Sequence, residues 1–220
     1  TEIKLTGELS KTGIGGSWGT FINNKKITKC DLSGVTDWGT TPTLPDVAFA
    51  NCTALQEVTL PDDMKVIGGS AFSGCAALTT VNLSQVTRIN LSAFWGCTSL
   101  ETLALDNVTA IGQEAFYECT GLETLKIPKC TEFGNYIVTG CRSLTRIEAT
   151  VAGNFVDISD GRSSIERTAV FHNRDSHYGD SAFNPAKCDL VLNADKKQDG
   201  NATPKVFSDN EWLVMPNGQL

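Results

Sequence analysis

No apolar run in this sequence approaches the roughly 18 residues that a helix needs to cross a bilayer, so no helical membrane span is expected and the segment reads as soluble. Histidine is scarce, with 2 in the chain, and no two cysteines stand at the C-x2-C spacing of a zinc site. There is no G-x-S-x-G elbow, no phosphate loop and no dinucleotide fingerprint. These absences leave no catalytic, metal or cofactor-binding residue to name, and the expectation is a protein that is not an enzyme. Basic charge is short too: 18 Lys and Arg stand against 25 Asp and Glu, a net charge of −7. The longest basic runs are the pairs Lys25-Lys26 and Lys196-Lys197, and nucleic-acid binding needs a concentrated basic face. The chain opens on Thr1 with no charged and apolar leader pattern after it, which reads as a leader removed or a segment cut from a longer chain.

What the sequence does have is a repeat, and the cysteines disclose it. Cys52, Cys75, Cys97, Cys119 and Cys141 stand at near-equal steps, each followed three residues later by Leu55, Leu78, Leu100, Leu122 or Leu144. Further columns are Val58, Val81, Leu103, Leu125 and Ile147; then Leu60, Leu83, Leu105 and Ile127; then Ile67, Ile89, Ile111 and Phe133. Phe49, Phe72, Phe94, Phe116 and Val138 precede the cysteines by three. A single coil of about 22 residues cannot bury enough apolar surface to order itself, so the coils must stack and share their columns.

Each column has a local reading. "VTL", "VNL", "LAL" and "LKI" alternate in-out-in, the period of a short strand with one buried face. Small residues before the phenylalanines, Ala48, Ala71, Ala93 and Ala115, suit a short helical turn. Gly68, Asn90, Gly112 and Gly134 follow the isoleucine column and read as a left-handed corner. Asn51, Gly74, Gly96, Glu118 and Gly140 precede the cysteines and read as a second corner, with Glu118 the exception. The pattern predicts an α/β fold: a right-handed solenoid with short strands on one face, short helical turns opposite, and terminal caps.

Toward the N-terminus the pattern thins. Ile27, Cys30, Leu32 and Trp38 align with the leucine, valine, second leucine and isoleucine columns, and an insertion, "GTTPTLPD", follows. Residues 1–26 are read as a cap with a divergent strand around Leu5 and Leu9, residues 27–149 as the repeats, and residues 150–220 as a C-terminal cap over the last coil's open edge. In that cap "CDLVLN" alternates at Cys188, Leu190 and Leu192, Asn193 to Pro204 reads as a solvated loop, and Trp212 is expected to pack beneath.

The cysteine column lies within disulfide reach, since neighbouring coils sit about 4.8 Å apart. It is also the small apolar position of the coil, and reduced core thiols are the favoured reading, with Cys30 and Cys130 in other buried columns. His172 and His177, beside Asp175 and Asp180, could form a metal or acid-base site; a polar loop is the better reading, as it is for "VDISDG" and "ADKKQDGN". Asn51, Asn82, Asn90 and Asn107 match the N-glycosylation pattern inside the repeat register, a coincidence of the columns.

The outward strand positions make two rows: Glu57, Thr80, Thr102, Thr124 and Arg146, then Thr59, Asn82, Ala104, Lys126 and Glu148. A threonine ladder that simply favours a sheet and a broad protein-binding face account for them equally.

"IGGSAFSGCAALTTVNL" and "IGQEAFYECTGLETLKIP" resemble the BspA-like leucine-rich repeats, clearly over residues 46–149 and partially over 27–45. That resemblance implies secreted or cell-surface proteins of host-associated bacteria, some of which adhere to host matrix proteins or other bacteria. It implies a protein or glycan partner on host or neighbouring cells, no cofactor, an extracellular or surface location, and a lipid anchor as the feature to seek upstream. No catalytic residue carries over with it. A spacer within a larger surface protein and a hydrolase-type activity in the C-terminal cap are the competing readings.

Overall fold

The computed structural model describes residues 1–8, 21–130, 132–134, 136–144, 146–151, 189–194 and 205–207. His172, His177, Cys188 and Trp212 lie outside these described residues, as does most of the proposed C-terminal cap.

The chain winds as a β-solenoid of about five turns, each contributing two short strands to two parallel columns. The first column begins with β1 (Glu2–Glu8), β2 (Lys29–Thr36), β4 (Glu57–Thr59) and β6 (Thr80–Val81), a four-stranded parallel sheet. It resumes with β8 (Thr102–Ala104), β10 (Thr124–Ile127) and β12 (Arg146–Val151), extended by β13 (Asp189–Ala194) and the antiparallel β14 (Lys205–Phe207). The second column runs unbroken through β3 (Thr43–Leu44), β5 (Val66–Ile67), β7 (Arg88–Ile89), β9 (Ala110–Ile111) and β11 (Glu132–Phe133). Alternation places Val58, Leu103 and Leu125 inward and leaves Thr80, Thr102 and Lys126 outward. The expected strand around Leu5 is β1, and the expected cap strand is β13, which takes in Asn193 as well.

Strand pairing in the first column stops between β6 and β8, where Val81 is only partly buried. Asn82 lies at this break. Its Oδ1 accepts from the Leu60 N–H at 2.6 Å and its Nδ2 donates to the Leu60 carbonyl at 2.9 Å, so its amide prolongs the β4–β6 pairing by one residue and leaves the β6–β8 gap unbridged.

Opposite the strands, the predicted helical turns are absent: the described residues contain no helix. The reason is visible in the backbone donors, which alternate. Ala48, Ala50 and Cys52 donate within their own coil, whereas Val47, Phe49 and Asn51 donate to Gly69, Ala71 and Ser73 of the next. The same alternation recurs in the following coil, where Ser70, Phe72 and Gly74 donate to Leu91, Ala93 and Trp95. A helix would keep those donors to itself.

Positive φ angles fix the turn at two points per coil. One is the residue before the cysteine, with φ of 58° at Asn51, 73° at Gly74, 69° at Gly96, 55° at Glu118 and 79° at Gly140, so Glu118 adopts the corner without being glycine. The other is Val47, Ser70, Ser92, Glu114 and Tyr136, at 51–59°. Gly68, Asn90, Gly112 and Gly134, expected to be left-handed, have no positive φ. The three glycines are there for close approach instead: a Cβ on Gly112 would lie 2.5 Å from the Leu91 backbone nitrogen, and one on Gly68 2.5 Å from the Leu44 carbonyl oxygen.

In the first coil Leu44, fully buried, pairs opposite Ile67 and so fills the isoleucine column assigned to Trp38. Trp38 packs against the core from the side, its indole N–H donating to the Val35 carbonyl at 3.0 Å. The extra residues of this longer coil precede β3, which is why counting from Trp38 misplaces the column.

Two side-chain files run the length of the turn side. Phe21, Phe49, Phe72, Phe94 and Phe116 stack with ring centroids 5.2–5.6 Å apart. Alongside them, the thiols of Cys52, Cys75, Cys97, Cys119 and Cys141 donate to the carbonyls of Phe21, Phe49, Phe72, Phe94 and Phe116, one coil back. From Phe49 to Phe116 each of these carbonyls also accepts the N–H of the cysteine in its own coil. The column therefore wants a residue that is small, apolar and able to donate once, and cysteine meets all three demands.

Candidate functional site

The two predicted rows are in register in segments rather than end to end. Glu57 lies opposite Thr80, and Thr102 opposite Thr124, which lies opposite Arg146; Ala104 lies opposite Lys126, which lies opposite Glu148. The pairing break between β6 and β8 cuts both rows, and the side chains of Arg146 and Glu148 fall outside the described residues. Thr80, Thr102 and Lys126 are exposed, while Glu57, Thr59 and Thr124 are partly buried. Asn82 is committed to the Leu60 backbone.

Upstream, the rows carry a chequer of charge that the sequence reading left out. Lys29 pairs with Glu57 at 2.7 Å and Lys4 with Asp31 at 2.8 Å, and Lys126 reaches Asp106 at 3.5 Å. Hydrogen bonds from Lys4 and Ser33 hold the Asp31 carboxyl well below the usual range, and the partner carboxylates push the Lys4 and Lys29 ammonium groups up. The strand register, Glu2 beside Lys29 beside Glu57, could have disclosed this alternation once Lys29 was aligned with Glu57.

The structure also opens a groove of about 550 Å³ where the second strand column meets the turn. Its floor is Gly69, Ala110, Gly112 and Gly134. One wall is Arg88, whose guanidinium reaches across the small Ala110 to Glu132 at 3.0 Å. The other carries Asp46, whose Oδ1 accepts the Gly69 N–H, and Leu91, 53% exposed. Nothing in the sequence reading pointed here, because a groove lined by Gly and Ala is signalled by missing side chains.

Residues 20–148 match six copies of the BspA type leucine rich repeat region. The chain belongs to this family. Among solved structures, the BspA-type chain resembles a leucine rich repeat protein of T. pallidum, at 25% identity and a TM-score of 0.52, over 64% of this chain and 66% of that one. It also resembles a leucine rich cell surface protein of Faecalibacterium prausnitzii, at 24% identity and a TM-score of 0.49, over 67% and 47%. A third likeness is to a leucine-rich repeat protein of Bacteroides ovatus, at 28% identity and a TM-score of 0.47, over 65% and 37%. The chain thus spans less than two thirds of the length of these structures. No curated protein matches it.

In this BspA-type array the thiols are free and buried, as the repeat register suggested. Burial pushes Cys75 and Cys119 up to about 12, and does the same to Cys30 and Cys130 outside the column. Cys97 is also pushed well above its ordinary value by burial. A thiol held protonated is neither a nucleophile nor a metal ligand at neutral pH. Among the described residues no group of three His, Cys, Asp or Glu is placed to hold a metal.

Proposed function

We propose that this chain is a non-enzymatic interaction module of a secreted or cell-surface bacterial protein, and that it adheres to a protein on host or neighbouring cells through its strand face. The observation that carries the reading is the pairing within each segment of the face, which aligns Lys29, Glu57 and exposed Thr80 before the break, and exposed Thr102 with Thr124 and exposed Lys126 with Ala104 after it. Solenoids offer broad surfaces of this kind to protein partners, and alternating charge supplies orientation more than raw affinity. Membership of the family supports the surface location.

Immobilised host matrix proteins and a glycan array, probed with the wild-type chain and with Lys126→Glu and Thr102→Glu, test the proposal. Capture of a matrix protein that falls at least about tenfold in both variants supports it. Unchanged capture, or binding to glycans alone, removes the strand face as the protein-binding surface.

A further inference from the structure

We propose that the groove beside the second strand column binds a short extended basic segment of a partner protein, independently of the strand face. Three observations converge on that occupant. The first is shape. The groove extends from Asp46 to Gly134, four coil steps, or roughly 19 Å at ~4.8 Å each. An extended chain rising ~3.3 Å per residue covers the same length with about six residues.

The second is an unused apolar surface. Leu91 and Trp95 are 53% and 48% exposed, the only large hydrophobic side chains so exposed among the described residues. Both belong to one turn of one coil. Leu91 forms the groove wall, and Trp95 packs edge-on against Tyr117 on the adjoining surface. Coils above and below carry Gly69 and Gln113 at the Leu91 position, so this wall is a local feature rather than a consequence of the repeat.

The third is charge. Asp46 and Glu132 line the groove against one cation, Arg88, which is paired to Glu132, and Glu114 stands outside the lining, next to Leu91 through Ser92. Glu114 reaches the hydroxyl of Ser92, next to Leu91, at 3.4 Å, and neither it nor Asp46 joins an ion pair among the described residues. An occupant with lysine or arginine beside an apolar side chain answers both carboxylates and Leu91 together.

The test is titration of the 15N-labelled chain with a six-residue peptide alternating lysine and leucine, and with its counterpart alternating glutamate and leucine. The lysine peptide is expected to shift the amides of Gly69, Leu91, Gly112 and Gly134. The glutamate peptide should bind at least about tenfold more weakly. Leu91→Ser removes the apolar wall from an exposed position. Asp46→Asn with Glu114→Gln removes charge while keeping the oxygens that accept from Gly69 and Ser92. Each should weaken binding about tenfold, and Asp62→Asn with Asp63→Asn, the same charge change at exposed positions elsewhere, should not. Shifts scattered over other faces, equal binding of the two peptides, or undiminished affinity in the groove variants would overturn the proposal. Because the readout is resolved by position, failure of the strand-face reading leaves this result unaffected.

Discussion

The two long sides of this molecule are built to different standards of continuity. On the turn side the phenylalanine stack and the thiol–carbonyl file pass from Phe21 to Cys141 without a gap. On the strand side the first column breaks between β6 and β8, and the Asn82 amide beside the break bonds back to Leu60 of the preceding coil rather than across it. The coils therefore stay in register across the break through the turn side and the unbroken second column. The difference teaches that this solenoid is held from its turn side, which leaves the strand face free to vary.

Alkaline pH should break that comparison most severely. The buried thiols titrate near 12 when folded and near 9 when unfolded, so above pH ~9 the unfolded chain releases protons the native state retains. Stability is then expected to be intact below pH ~9 and to fall through to ~12, by about 1.4 kcal/mol per pH unit for each such thiol. Urea melts between pH 8 and 11 (~1 unit apart) measure it. A Cys97→Ser, Cys119→Ser chain should show a shallower decline.

Phe94→Ala removes the middle of the stack and is expected to cost about 3–5 kcal/mol in the same melts, more than the equivalent change at Phe21 on its end. Cys97→Ala should cost about 1–3 kcal/mol, since it deletes both volume and a donor to the Phe72 carbonyl. Cys97→Ser keeps the donor and should be the milder change. If the alanine variant were the milder, the thiol would be mere filling.

Glu118→Gly runs the other way. It relieves a side chain held at φ 55° and should gain about 0.5–1 kcal/mol. Smallest of all, Thr102→Ala on the exposed strand face should stay within about 0.5 kcal/mol. A larger loss there would return structural weight to the strand side.

The solenoid was legible because each coil repeats the same burial at the same step: Cys97, Leu100, Leu103 and Leu105 announce their roles by spacing alone. The column of positive φ was not. Val47, Ser70, Ser92, Glu114 and Tyr136 have no common side-chain type, and at Val47, Ser70 and Ser92 the conformation accompanies a backbone bond to the next coil. The helical turns failed for the same reason, since Ala-Phe suits a helix as well as it suits a backbone that lends alternate donors to a neighbour. Of the candidate surfaces, the rows of the strand face followed from period two. The groove did not, because Gly69 and Ala110 matter for the space they leave and Leu91 for being out of pattern.

The sulfur file sets the molecule's chemical lifetime. While folded, its thiols are donors locked against carbonyls and closed to oxidants. Once a few coils open in air, a set of evenly spaced sulfhydryls is released together, each free to ionise and cross-link with whichever partner it meets first. Unfolding outside a reducing setting would then be a one-way event, and the rate of opening, rather than the equilibrium, would decide how long such a protein survives.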